Sequence, residues 1–570
     1  MKLNFKIILY IFILSTLSCK TVVTPIITSI SENYENPSIS DGFQFWQQKD
    51  FEKDNIPGIS LDKWYEKNNL QPKKTTIVVA VIDTQIDLNH EDLKDQIWIN
   101  SKEMPNNNID DDHNGYVDDI NGWSFISAKN GSYVVWENFE YVRMVRKWQP
   151  IFKNKAESEI PTKDLPNFKE YQRALKFFEK KNKYYKNWLK SLKYNIKNYP
   201  LAKDTLKHFF PKEDYTIKKL DSLYKIYKIN DKTFRQRTDS NDKDLGALID
   251  GMMVNLEVNQ KKIQDLMGMN EQIDSIVNKN LNLNFNDRST LGDDPDILDK
   301  GYGNGNVSAK IKGIRLFQDH NTNVSGIIAA DRNNNLGIKG FSNNIRIMPL
   351  HVSCSGDEND KDIANAIRYA VDNGAKVINM SFYKEFSVHK EWVFEALQYA
   401  EKHQVLVVHI SGNEKSNLDE EPHYPNDTAF DGLPEVCNNF INVGSTSQRM
   451  DSSFVSAFSN YGKINVDLFA PGEEIYTTSP DNKYVTDSGT SLAAPMVSGT
   501  AALIWLYYPK LTVQEVRQII LDSGSSYDIE VIVPGTKDKK VKFAELSKSG
   551  KVLNVFNAMK MANEMSKKKK

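Results

Sequence analysis

Thr486-Asp487-Ser488-Gly489-Thr490-Ser491-Leu492-Ala493-Ala494-Pro495 leads into the apolar run Met496-Val497 and 501–506. A serine preceded by Gly-Thr and followed by small apolar residues, where a loop becomes a buried helix, stands where a nucleophile can be activated. Ser491 is the candidate nucleophile, although an ordinary N-cap serine ahead of a core helix would read the same way. With Leu492 opening the helix, Pro495 is its fourth residue and its missing donor costs little, because the first four helical N–H groups have no intrahelical partner. A base, an orienting acid and an oxyanion donor elsewhere in the chain would decide for catalysis.

Upstream of this stretch, strand and helix signals alternate from about residue 311. Residues 345–352 read as strand, 362–373 as helix, 377–381 as strand, 389–404 as helix, 405–410 as strand and 440–446 as strand. The alternation predicts an α/β fold, a parallel sheet covered by helices on both faces. Downstream, Thr512-Val513-Gln514-Glu515 is a capping-box start for a helix ending near Gly524. Far earlier, Thr75-Thr76-Ile77-Val78-Val79-Ala80-Val81-Ile82-Asp83 is a continuous β-rich apolar run ending in an acid. This is the pattern of a buried parallel strand whose carboxyl end opens on a site, so Asp83 is a candidate; a plain strand-end aspartate fits as well.

Asp319-His320-Asn321-Thr322-Asn323-Val324-Ser325-Gly326 puts a histidine at the start of a small-residue helix, and the chain order becomes Asp83, His320, Ser491. With that order the chain resembles the subtilases, the subtilisin-like serine peptidases, from Trp46 to about Gly524 apart from one long insertion. The resemblance implies a subtilisin-like fold and a peptidase acting on proteins or peptides. In it His320 serves as general base, Asp83 orients it, and Asn413, in Ile410-Ser411-Gly412-Asn413, supplies the oxyanion donor with the Ser491 N–H. No cofactor is needed for this chemistry. The chain departs from the family where Asn321 and Asn323 replace the usual Gly and second His, and where Leu492 replaces the common Met. Ser381, Phe382 and Tyr383 are the expected substrate-binding segment, with Phe382-Tyr383 standing where the family keeps a glycine. Tyr383 is therefore expected to narrow the side-chain pocket. The rival expectation is an inactive subtilase-like lipoprotein that binds a protein partner.

The remaining features concern address and appendages. Of 570 residues 40% are hydrophobic, ample for a large core, and the net charge of −2 argues against a general nucleic-acid binder. Lys2 and Lys6 flank a short apolar run, 7–14, that ends in Ser15-Thr16-Leu17-Ser18-Cys19, the shape of an export signal. It resembles a bacterial lipoprotein signal, which implies lipidation of Cys19, membrane anchoring and an exported protein; simple cleavage is the alternative. No typical inhibitory propeptide is evident between Cys19 and Asp83. Cys354 and Cys437 are expected as free thiols. Asp110, Asp112, Asn114 and Asp118, with Gly115 at the sharp turn, match calcium-loop positions, although Asn121 stands where the bidentate Glu belongs; a structural Ca²⁺ or a solvated acidic turn would fit.

A Lys- and Tyr-rich region separates Asp83 from His320. Phe168 to Ile196 and Leu245 to Val277 both show apolar steps of three and four, broken at Asn182, Asn259 and Asn270. Two such stretches predict an antiparallel helical hairpin with its base near the site. The expected organisation is a signal at 1–18, a tether at 19–42, peptidase segments at 43–126 and 285–545, a helical insertion at 127–284, and a C-terminal helix with a frayed Lys-rich tail at 546–570.

Overall fold

The computed structural model describes residues 27–28, 44–68, 70, 75–258, 262–308, 319–428 and 434–569. Residues 1–18, Cys19 and most of the tether lie outside them. In chain order the first ten strands are β1 (Ile27–Thr28), β2 (Ile77–Asp83), β3 (Trp123–Ser124), β4 (Ile345–His351), β5 (Val377–Met380), β6 (Leu406–Ile410), β7 (Phe440–Thr446), β8 (Leu468–Pro471), β9 (Ile475–Ser479) and β10 (Lys483–Asp487). Seven of them form one parallel sheet in the order β3-β4-β2-β5-β6-β7-β8. β2 lies between β4 and β5, with Asp83 opposite His351 at its carboxyl end. β9 and β10 form a separate antiparallel hairpin that leads into the candidate nucleophile. The lead-in contributes α1 (Phe51–Asp54) and α2 (Leu61–Lys67).

The insertion departs from the predicted hairpin. It comprises α3 (Glu140–Phe152), α4 (Leu165–Leu206), α5 (Ile217–Tyr227), α6 (Phe234–Ser240), α7 (Leu245–Glu257) and α8 (Ile263–Ser275). The first periodic stretch is one helix of 42 residues, about 63 Å long at 1.5 Å per residue. The second stretch breaks into α7 and α8. α7 is closed by Val258, whose N–H donates to the Val254 carbonyl, and α8 opens at Ile263 with Lys262 as its N-cap. Leu189, Leu192, Leu206, Leu220, Leu248, Ile249, Met252, Leu266 and Ile273 bury a core drawn from the insertion alone. A second core is shared: Tyr141, Phe152, Phe168 and Tyr171 pack with Phe386, from the loop after β5.

Ionised groups bind the base of the insertion to the sheet domain. Arg143 pairs with Glu140 at 2.6 Å and Asp287 at 3.0 Å, and Arg288 pairs with Asp362 at 2.6 Å and Asp293 at 2.7 Å. Lys384, fully buried one residue after Tyr383, pairs with Asp360 at 2.8 Å and Glu140 at 3.1 Å and donates to the Glu358 carbonyl at 2.7 Å. The insertion is thus built into the wall of the sheet domain.

Six further α-helices follow the insertion: α9 (Asp319–Ala329), α10 (Asp360–Asp372), α11 (Lys390–Lys402), α12 (Thr490–Tyr507), α13 (Val513–Ser523) and α14 (Val555–Lys567). Alternate β2 residues face opposite ways, Val79 and Val81 into a core with α9, α12, α13 and α14, Ala80 and Ile82 into one with α10 and α11. Helices therefore cover both faces of the sheet, the α/β architecture expected. α12 is apolar and long enough to span a membrane, but 89% of it is buried inside the domain, so it is a core helix. The Thr512–Glu515 capping box forms as read. The expected fraying is corrected at the other end: α14 runs through Lys567, and Lys569 ion-pairs with Glu515.

Candidate active site

Asp83 ends β2 with 1% exposure, and its carboxylate lies 2.8 and 2.9 Å from His320 Nδ1, while the Thr84 N–H donates to it at 2.6 Å. His320 is the second residue of α9. Burial pulls its pKa down, but the charge and hydrogen bond of Asp83, aided by Asp487 and Glu358, outweigh this and hold it above the ordinary imidazole value. With Nδ1 donating to Asp83, Nε2 is the nitrogen left to accept a proton. Asn321, where a glycine was expected, explains how this pair is held. Its N–H donates to Thr84 Oγ1 at 3.1 Å and its Nδ2 to the Thr84 carbonyl at 2.8 Å, stitching α9 to the residue after Asp83. Asn323 is assigned, from its partners, to donate to the carbonyls of Asp319 and Thr478.

Ser491 is the second residue of α12, not the residue before it, because the helix starts at Thr490 with Gly489 as N-cap. Pro495 is accordingly the sixth helical residue. Its nitrogen stands where a donor to the Ser491 carbonyl belongs, so that carbonyl has no helical partner. The Ser381 hydroxyl takes the place, donating to Ser491 O at 3.0 Å, while Ser491 Oγ donates to Ser381 O at 3.1 Å. Ser381 is 3% exposed, and its hydroxyl is engaged in positioning the nucleophile. Asn379 reinforces it, donating to Ser381 Oγ at 2.9 Å and accepting from Ser498 Oγ at 2.8 Å.

Asn413 follows β6. Its Oδ1 accepts from the Thr490 N–H and the Thr490 hydroxyl, each at 3.0 Å, which leaves Nδ2 as its free end. The Ser491 N–H belongs to the same first helical turn, where donors lack intrahelical acceptors. The turn before it needs glycine: Gly412 has φ +101°, and a Cβ there would meet Asn460 Nδ2 at 2.5 Å.

Phe382 packs edge-on against His409, at 6.5 Å, and is partly buried. Tyr383 stacks on His423 at 4.7 Å, and its hydroxyl bonds the Glu414 carboxylate, tying the loop after β5 to the loop after β6. Burial pushes Glu414 up, opposed by Asn460, neighbouring backbone amides and the charge of Lys181 on α4. Cys354 and Cys437 are free thiols, both pushed up by burial and therefore poor nucleophiles.

In the acidic loop, one oxygen from each of Glu103, Asp110 and Asp112 lies within 4.8 Å of the others. Asp118 does not join them; its carboxylate accepts from the N–H groups of Asn107 and Asn108 at 3.2 and 2.9 Å. Glu103 replaces it in the cluster, and Asn114 Oδ1 accepts from the Tyr116 N–H at 2.8 Å. Glu103, Thr490 and Glu358 escaped the sequence reading. Of these only Thr490 carried a signal, the Gly-Thr before Ser491.

A model of the Subtilase family matches residues 74–548. The "Thermophilic serine proteinase" of Bacillus sp. (strain AK1) is 38% identical over 189 residues, covering 33% of this chain and 43% of that protein. "Thermitase" of Thermoactinomyces vulgaris is 37% identical over 186 residues, 32% of this chain and 60% of its own length. The chain thus spans about half the length of these relatives. A solved "cold adapted subtilisin-like serine proteinase" is 27% identical, covering 42% of this chain and 74% of that one, with a TM-score of 0.33.

Proposed function

This chain belongs to the subtilase family of serine peptidases, and from that premise we propose that it is an endopeptidase that hydrolyses peptide bonds in proteins through an acyl-enzyme on Ser491. The observation that carries the reading is the hydrogen-bonded Asp83–His320 pair at the carboxyl end of β2, beside the carboxyl ends of β5 and β6, after which Ser381 bonds Ser491 and Asn413 is clamped by Thr490. Ser491 Oγ attacks the scissile carbonyl carbon as its proton passes to His320 Nε2. The resulting oxyanion is met by Asn413 Nδ2 and the Ser491 N–H, and Asp83 stabilises the imidazolium. Collapse breaks the C–N bond, and the leaving amine takes the proton from His320. Water then repeats the sequence on the ester, releasing the acid and restoring Ser491. The Ser491 hydroxyl must leave the Ser381 carbonyl for this, a single side-chain rotation of the kind that substrate binding commonly completes.

The address belongs to the same proposal: an exported lipoprotein anchored through Cys19, supported by the Lys2/Lys6-flanked apolar run before it. A structural Ca²⁺ would be held by Glu103, Asp110 and Asp112, whose hard oxygen ligands suit it. A fluorophosphonate probe tests the central claim. Covalent labelling mapped to Ser491, lost in Ser491→Ala and in His320→Ala, is the expected result. Folded protein that neither labels nor cleaves casein overturns it. Label incorporation from radioactive palmitate, lost in Cys19→Ser, tests the anchor.

A further inference from the structure

Charge is divided very unevenly along the chain. Residues 127–284 hold 31 of the 73 Lys and Arg but only 20 of the 75 Asp and Glu, a net +11 in a chain of net −2 that leaves −13 on the rest. Most of the surplus sits on α4, and the first half of α4 packs against the loop after β5 that carries Tyr383. Arg173 lies over the Phe386 ring at 3.7 Å and donates to the Glu385 carbonyl at 3.1 Å, and Phe177 packs edge-on against Phe386 at 5.4 Å. Phe386 stands three residues beyond Tyr383, and the charge of Lys181 reaches Glu414, the partner of the Tyr383 hydroxyl.

Beyond this contact Phe177, Lys180, Lys181, Tyr184 and Trp188 follow at steps of three and four, so they share one face of α4. Lys176 and Lys183 flank it, each one helical turn from Lys180. Lys176, Lys180 and Lys183 are exposed and have no ion-pair partner among the described residues, unlike Lys190 and Lys193 further along, which pair with Asp239 and Asp274. Tyr184 is 58% exposed and packs edge-on with Trp188, so the face offers aromatic surface beside its unpaired cations. From Phe177 to Trp188 the face is about 16 Å long, the reach of roughly five residues of extended chain.

We propose that this face of α4 is an exosite that binds an acidic, extended segment of a protein substrate away from the bond being cleaved. Asp and Glu side chains of the segment pair with Lys176, Lys180 and Lys183, and its backbone lies on Tyr184 and Trp188. The surface continues the wall that carries Tyr383, which favours a polypeptide already seated in the cleft over any unrelated polyanion. The proposal rests on the peptidase reading above.

Two peptides with one shared cleavable sequence test it, one of them carrying a five-glutamate tail on a Gly/Ser spacer. On the full-length protein at low salt the tailed peptide is expected to show a five- to tenfold higher kcat/KM. The advantage should vanish in 0.5 M NaCl, and in Lys176→Glu/Lys180→Glu/Lys183→Glu, while cleavage of the untailed peptide stays unchanged. Equal cleavage of both peptides by the wild type overturns the exosite and leaves the peptidase standing. If neither peptide is cleaved and Ser491 does not label, the peptidase reading fails, and fluorescence anisotropy of the tailed peptide on Ser491→Ala decides the exosite by itself: binding lost in the lysine variant supports it, and no binding overturns it. Cosedimentation with phosphatidylglycerol vesicles that is lost in the lysine variant, with equal cleavage of the two peptides, would assign the face to a membrane surface instead.

Discussion

Replacing Lys384 with methionine should cost far more than loss of a surface charge. The side chain is fully buried, and its ammonium faces Asp360 at 2.8 Å, Glu140 at 3.1 Å and the Glu358 carbonyl at 2.7 Å. Methionine fills much the same space but leaves two carboxylates, themselves 3% and 1% exposed, short of a cation. Glu140 keeps Arg143, and Asp360 Oδ2 keeps the Ser387 hydroxyl and the His389 N–H, so the deficit falls on Asp360 Oδ1. Breaking one partner of a buried pair costs about 3–5 kcal/mol. At about 2–4 °C per kcal/mol for domains of 150–250 residues, and less for a larger cooperative unit, the melting temperature should fall on the order of 5–10 °C. Differential scanning fluorimetry on a Ser491→Ala background, which prevents self-digestion, measures it. Asp360→Asn added to Lys384→Met should recover part of the loss by removing the stranded charge. A drop below 2 °C, or strictly additive losses in the double variant, would refute the network as drawn.

Three further outcomes follow from the site. His320 must be neutral to accept the Ser491 proton, and Asp83 raises its pKa. The acid limb of kcat/KM should therefore lie above about 6.5, the ordinary value, and a limb at or below 6 would contradict the pair. The same shift makes the charged Asp83–His320 pair contribute stability below that ordinary value, a contribution lost as pH rises through the raised pKa. Tyr383→Gly should remove the tie to Glu414 and the stacking on His423, admitting large aromatic residues before the cleaved bond; an unchanged cleavage profile in a peptide library would count against it. Calcium at 100 times its Kd should stabilise the fold by about 2.7 kcal/mol. An EGTA effect on melting that persists in Glu103→Gln/Asp110→Asn would exclude the acidic loop as its site.

What could be read from residues alone had local causes. The run ending in Asp83, the histidine opening a small-residue helix and the Thr512–Glu515 box each declare an element and one of its ends within ten residues. The misreadings depended on things that periodicity does not carry. Apolar steps of three and four identified the buried faces of α4, α7 and α8 but not where a helix stops, so two helices were read as one. Ser381 reaches the Ser491 carbonyl, which Pro495 leaves without a helical donor, from 110 residues away, and no local pattern announces that contact. Glu103 lies seven residues before Asp110 and enters the cluster through the chain's path around the loop. The buried ions at the base of the insertion join segments far apart in the chain, Arg288 to Asp362 across 74 residues, Arg143 to Asp287 across 144 and Lys384 to Glu140 across more than 200, and nothing in their local sequence announces the pairing.

The position of β2 has a consequence for the order in which the nascent chain acquires structure. Its neighbours in the sheet, β4 and β5, lie beyond the insertion, so Ile77–Asp83 emerges from the ribosome more than 260 residues before its first partner, Ile345–His351, is made. At roughly 5–20 residues per second this is a wait of about 13–50 s. The helical segment between them has a core drawn entirely from its own residues, which are all made before β4. A force-sensing arrest sequence placed after successive lengths should register a first folding event near residue 310, and a single event only after residue 500 would refute this order. On that schedule a self-contained helical body is already standing when Asp83 and His320 first meet, and the last catalytic group, Ser491, is translated only after the wall beside it has been built.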